Sequence, residues 1–199
     1  MRWLIAVCFA ACIAPASAGN QKYEPLSASV RAALHSAISD QAVPFLAFDT
    51  VEEARTWLDA MSGKLERRMP DRRQREEFLV TVHYEATRAA LDPQLVLGLI
   101  QVESAFRKYA VSSAGARGLM QVMPFWVNLI GRPQDNLFHL RTNLRYGCAI
   151  LKHYLDMERG DYYRALGRYN GSLGQAAYPN MVVSAWRNHW SYTPRQAAR

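Results

Sequence analysis

A glutamate carried on the apolar face of a helix is a candidate general acid, and Glu103 has that placement. It closes the apolar run at residues 95–102 and is followed directly by Ser104. Leu95, Leu99 and Glu103 lie four apart and share one helix face, with Val96 and Ile100 beside them. Burial disfavours the charged form of a carboxyl, which suits a group that must deliver a proton near neutral pH. A helix-end glutamate can equally reach water or pair with Arg107, and pattern alone leaves both readings open. Between Glu103 and Asp135 there is no Asp or Glu. A glycosidase working with two carboxylates would have to draw its second from elsewhere in the chain. The other route is substrate assistance: an acetamido group on the sugar stabilises C1, and one glutamate serves first as acid and then as base.

The elements that must position Glu103 read as helices throughout. Asp92 caps the Glu103 helix and Pro93 suits its first position. Before it, a helix is expected over 29–38. A second opens at the capping-box pattern Thr50-Val51-Glu52-Glu53 and runs to about Met61, and a third starts at Asp71 with Phe78, Leu79 and Val82 as its apolar face. After it, residues 109–118 read as a loop and 119–130 as partly helical, broken near Pro124. Residues 143–157 read as a long helix that Gly160 can end, with short helices at 162–168 and 181–189. No alternating strand pattern or internal repeat is evident, so the expected fold class is all-α.

The remaining features bound the functional class. Arg2, the apolar stretch 3–13 and Ala16-Ser17-Ala18 form a secretory signal, expected to be cleaved after Ala18. A lipid-anchored form through Cys12 is the weaker alternative, because Phe9-Ala10-Ala11 fits a lipoprotein signal poorly. Loss of the signal leaves Cys148 as the sole thiol, on a stripe with Leu144, Leu151 and Leu155, where a buried core role is expected. The formal net charge of +7 suits an anionic polymer or surface. Acids interleave the arginines of 66–77, however, as on a solvated helix face rather than a nucleic-acid site. The five histidines show no metal-ligand spacing, and no metal or cofactor is expected. Glu85, in register with Phe78 and Val82, is a second carboxylate with an apolar face and is expected to be structural.

Glu103-Ser104, Ser112, and Gly115-Ala116-Arg117-Gly118-Leu119-Met120-Gln121-Val122-Met123-Pro124 together resemble the signature of soluble lytic transglycosylases, relatives of goose-type lysozyme. Asn143-Leu144, Gly147, Ile150, Leu151 and Tyr154-Leu155 resemble that family's long helix, and Tyr169-Asn170-Gly171 its tyrosine-asparagine motif. The resemblance covers about residues 91–178. It implies a lysozyme-like single domain with a substrate cleft, divided here as signal 1–18, a helical lead-in 19–70 of which about 19–49 is expected to pack loosely, and a catalytic unit 71–199. It further implies Glu103 as acid/base, Ser112 orienting an N-acetyl group, Gln121, Met123 and Asn170 lining the sugar groove, and Tyr169 beside the carboxylate. Such enzymes cleave the MurNAc–GlcNAc bond of peptidoglycan without water and leave 1,6-anhydro ends, without a cofactor. The implied setting is the periplasm; the partners are glycan strands and proteins of an envelope complex, not nucleic acid. A hydrolase of the same fold and a weakly active wall-binding scaffold are the rival readings. One departure stands out: where the family has Ala-Gly-Pro-Gly after tyrosine-asparagine, this chain has Gly171-Ser172-Leu173-Gly174.

Overall fold

The computed structural model describes residues 20–193, so the expected signal at 1–18 lies outside the described residues. The all-α expectation holds. The helices are α1 (Ala28–Ile38), α2 (Val51–Leu65), α3 (Arg72–Arg88), α4 (Pro93–Ser104), α5 (Phe125–Ile130), α6 (Leu140–Met157), α7 (Tyr162–Asn170) and α8 (Ala177–Ser184), the last continuing into a π-helical turn, Ala185–His189. Among the described residues, extended pairing is limited to isolated bridges joining Val111 to Arg117 and Arg117 to Val122.

The caps act where the sequence puts them. Thr50 and Glu53 form a reciprocal capping box on α2, and Asp71 accepts the Gln74 amide at the start of α3. Asp92 accepts the Gln94 amide at 2.7 Å, with Pro93 in the first turn of α4. α8 starts earlier than the expected 181–189 because Pro179 lies in its first turn, where a missing N–H costs no helical hydrogen bond.

α4 is the central helix. Leu95, Val96, Leu97, Leu99 and Ile100 are all fully buried, and a helix apolar all round belongs inside a core. Each such leucine contributes roughly 1.5–3 kcal/mol relative to exposure. α3 covers one side of α4, and α8 with the π turn covers another. α6 packs against α1, α3 and α7. Two indoles fasten α4 at both ends: Trp186 donates to Asp92 at 2.8 Å and Trp190 to Gln101 at 2.9 Å.

The lead-in is packed more closely than its sparse apolar pattern suggests. Within 19–49, Leu34 and Ile38 join the core and Leu26, Val30, Leu46 and Phe48 pack against it; Trp57, Met61 and Leu65 of α2 join it too. Polar ties complete the attachment: Arg145 donates to the Ile38 carbonyl at 3.0 Å, and Arg141 pairs with Asp40 at 3.0 Å. Hydrophobic periodicity does not register contacts of that kind. No helix among the described residues is long and apolar enough to cross a membrane.

Candidate active site

Glu103 sits in the last turn of α4 and is 4% exposed. The chain leaves it through two consecutive non-glycine residues at positive φ, Ala105 (49°) and Phe106 (65°). Gln121 (49°) is a third. Such residues carry backbone strain, and strain of this kind gathers at functional sites. Arg107 Nε donates to the Ser104 carbonyl at 3.0 Å.

α8 brings Tyr178 against Glu103, and the Tyr178 hydroxyl donates to Glu103 Oε1. Tyr169, from α7, is fully buried and donates to the Met120 carbonyl at 2.8 Å. Burial first, and then the negative charge of Glu103, hold both phenols well above their ordinary pKa. Both therefore stay protonated and able to donate.

Met120 is fixed from three sides. Its amide donates to Asn143 Oδ1 at 2.8 Å, and its carbonyl takes the Tyr169 hydroxyl. Its side chain fills the space over Gly147, where a Cβ would come within 2.4 Å of Sδ. Asn143 also donates to the Arg117 and Leu137 carbonyls at 2.8 Å each. Gly118 has φ 78°, and a Cβ there would fall 2.4 Å from Asn143 Nδ2. The Gly-Leu-Met-Gln run is thus a rigid loop pinned to α6, which is why α6 carries Asn143 and Gly147 at those places.

The other expected groove residues hold varied positions. The Ser112 hydroxyl accepts the Ala116 amide at 3.1 Å and closes a turn. Gln121 is 1% exposed, with Nε2 donating to the Ala110 and Gly118 carbonyls at 3.1 and 2.8 Å. Its side chain therefore holds the loop, leaving its backbone carbonyl as the group it offers outward to a neighbour. Met123 is half-buried beyond it. Asn170 donates to Ser172 Oγ at 3.0 Å, and its buried Oδ1 accepts no hydrogen bond from the described residues. Asp135, the next acid in sequence, is occupied by Tyr146 and the Arg132 amide.

Sequence reasoning missed Tyr178, whose hydroxyl donates to Glu103. Its sole sequence signal is a shared helix face with Val182, and Gln175-Ala176-Ala177 before it carries no chemistry. Among the described residues no cluster of His, Cys, Asp and Glu could hold a metal ion. Cys148 is buried in the core, and burial raises its thiol pKa.

The Transglycosylase SLT domain model matches residues 81–180, half of the chain. The chain belongs to the Transglycosylase SLT domain family. The SLT match runs from α3 to α8 and encloses Glu103, Tyr169 and Tyr178. The "Transglycosylase" of Enterobacteria phage PRD1 is 37% identical over 100 residues, covering 47% of this chain and 37% of that protein. Membrane-bound lytic murein transglycosylase C of Actinobacillus pleuropneumoniae (serotype 5b, strain L20) is 52% identical over 48 residues, which are 24% of this chain and 13% of that protein. The chain thus spans about a third or less of the length of these relatives. Among solved structures, lytic transglycosylase Slt of Pseudomonas aeruginosa, in an inactive mutant form, aligns with a TM-score of 0.43 and 24% identity. That alignment covers 53% of this chain and 20% of Slt.

Proposed function

We propose that this SLT domain cleaves the β-1,4 bond between MurNAc and GlcNAc in peptidoglycan and closes a 1,6-anhydro ring on the muramyl end. The observation that carries this reading is Glu103, buried at the end of the central helix beside a protonated phenol, within the family's matched region. The names of the relatives, a transglycosylase and a lytic murein transglycosylase, support the substrate class.

In the proposed reaction the Glu103 carboxyl gives its proton to the glycosidic oxygen as the C1–O bond breaks. The carbonyl oxygen of the muramyl acetamido group bonds to C1 and carries the positive charge. Glu103, now a carboxylate, takes the proton of the C6 hydroxyl as O6 bonds to C1 and displaces the acetamido oxygen. The glutamate ends as it began, and no water is consumed. An intramolecular attack also avoids the entropy of recruiting a second reactant. Tyr178 orients the carboxyl, while Ser112, Gln121, Met123, Tyr169 and Asn170 shape the glycan site, with the orphan acceptor of Asn170 available to a sugar hydroxyl. Residues 71–199 form the catalytic unit, and 19–70 buttress it.

Digestion of purified sacculi in ¹⁸O-water tests the chemistry. Ring closure incorporates no label and adds no water mass; predominantly labelled reducing ends would mean a hydrolase and sink this mechanism. Export to the periplasm after cleavage at Ala18 is part of the same reading. N-terminal sequencing of the exported protein is expected to begin at Gly19, and a lipidated Cys12 would refute it.

A further inference from the structure

The segment ahead of α1 buries one side chain of the wrong kind for a core. Asn20, Lys22, Tyr23, Glu24 and Pro25 are exposed, whereas Gln21 between them is 3% exposed. Its carboxamide is fully engaged. Oε1 accepts the Met123 amide at 3.2 Å and the Trp126 indole at 3.1 Å, and Nε2 donates to the Gln121 carbonyl at 3.3 Å. The Tyr169 hydroxyl, which feels the Glu103 charge, also meets Gln21. A buried amide must have its hydrogen bonds met, and Gln21 meets them on the backbone of Gln121 and Met123 and on the Trp126 indole.

The rest of the segment spans both sides of this contact. The Tyr23 ring meets Phe125 edge-on at 5.8 Å on one side, and Glu24 pairs with Arg168 at 3.1 Å on the other. The Asn20 carbonyl lies against Gly171, where a Cβ would come within 1.9 Å of its oxygen. Gly171 is the first residue of the departure from Ala-Gly-Pro-Gly, so the alanine expected there would collide with this segment. The departure and the buried glutamine point independently to one arrangement.

An acetamido sugar offers the same pair of groups as the Gln21 side chain, one carbonyl acceptor and one N–H donor. We propose that residues 20–24 are a self-inhibitory strap whose Gln21 carboxamide occupies the place of a substrate acetamido group, so that glycan can bind only by displacing it. The proposal rests on the glycan-cleaving function above. Apparent affinity is then the intrinsic affinity reduced by the fraction of molecules with the strap released.

The test uses the full exported chain carrying Glu103→Gln, so that bound sugar is not cleaved. Binding of tetra-N-acetylchitotetraose is measured by calorimetry with and without Gln21→Ala, and separately with Gly171→Ala, which displaces Asn20 by volume, strains the α7 cap at φ 74° and leaves Gln21 intact. Each change is expected to tighten binding about tenfold, the gain when a strap docked about nine-tenths of the time is released. Sugar is also expected to speed amide exchange over residues 20–26. Unchanged or weaker binding in both variants, or amides protected by sugar, would overturn the strap. If the parent binds the sugar and the Glu103-bearing chain cleaves sacculi while neither variant tightens, the strap alone falls. If no form binds sugar or cleaves sacculi, the proposed function falls with it.

Discussion

Glu85 and Glu103 stand on neighbouring helices, and both are buried, at 0% and 4% exposed. Their described partners differ. Glu85 receives Arg88 and Arg141 at 3.0 Å each and Arg145 at 3.4 Å. Asp40 extends the cluster by pairing with Arg141 and accepting Tyr84 at 2.8 Å. Desolvation opposes the charge of Asp40, yet the Ala42 amide, Tyr84, Arg88 and Arg141 hold its carboxyl below the usual range. Glu103 instead takes the hydrogen bond of a neutral phenol that burial keeps protonated. A buried carboxylate clamped by guanidinium groups ties helices together and serves the fold. One set against a phenol has a donor that can follow either protonation state of the carboxyl. Burial by itself therefore does not separate the two carboxyls; their neighbours do.

Exchanging each carboxyl for its amide separates the two roles. Glu103→Gln is expected to lower sacculus digestion by on the order of 10²–10⁴-fold while leaving the denaturation midpoint close to wild type. Glu85→Gln is expected to leave turnover per folded molecule intact and to cost about 3 kcal/mol, since three arginines lose their counter-charge. That value is at the low end because Arg88 and Arg141 are 25% and 27% exposed and can turn to water. A Glu85→Gln protein of normal stability and no turnover, or an active Glu103→Gln protein, would reverse the assignment.

This contrast was only half legible in the sequence. Helical register placed both glutamates on apolar faces, and the caps at Thr50, Asp71 and Asp92 fixed where helices begin. Those signals are local, carried by residues within a turn or two of each other. The arginines that settle the role of Glu85 come from α6, 56 and 60 residues away, and Tyr178 reaches Glu103 across 75 residues. Neither link leaves a periodic trace. The resemblance named Gln121 as a groove residue, but it could not show that the side chain turns inward and leaves the backbone carbonyl outward. The burial of Gln21 was illegible for the same reason: an isolated glutamine in a polar stretch has no pattern.

His83 marks the limit in which burial has no counter-charge. Its ring lies between Phe48 and Trp57, with centroids 4.6 and 4.9 Å away, and burial pushes its pKa down to about 4. The unfolded chain binds this proton near pH 6.5, so the folded state is at full strength above 6.5. Stability from this group is then lost as pH falls from 6.5 towards 4, and is level below that. The loss is expected to reach roughly 3 kcal/mol across the window. His83→Phe keeps the aromatic packing and is expected to flatten that part of a stability–pH curve measured by urea denaturation. A curve of unchanged slope would assign the acid sensitivity to the carboxylates instead.

The smallest change bears most directly on what distinguishes Glu103. Tyr178→Phe removes one hydroxyl and keeps the ring that packs beneath α4. Because a hydrogen bond to a carboxyl is worth on the order of 1–2 kcal/mol, the rate is expected to fall about tenfold and stability by about 1 kcal/mol or less. Losing a donor to the carboxylate disfavours its charged form, so the alkaline limb of the pH–rate profile is expected to move to higher pH. A purely structural tyrosine would not move that limb. Tyr169→Phe supplies the comparison within the same pocket, because its hydroxyl donates to the Met120 carbonyl. It is expected to weaken sugar binding while leaving the alkaline limb in place. If both substitutions shift the profile alike, the phenols act through shared electrostatics, and Tyr178 has no special hold on Glu103. If neither does, the contrast between a clamped and a poised carboxylate loses its chemical basis, and the difference between Glu85 and Glu103 reduces to packing.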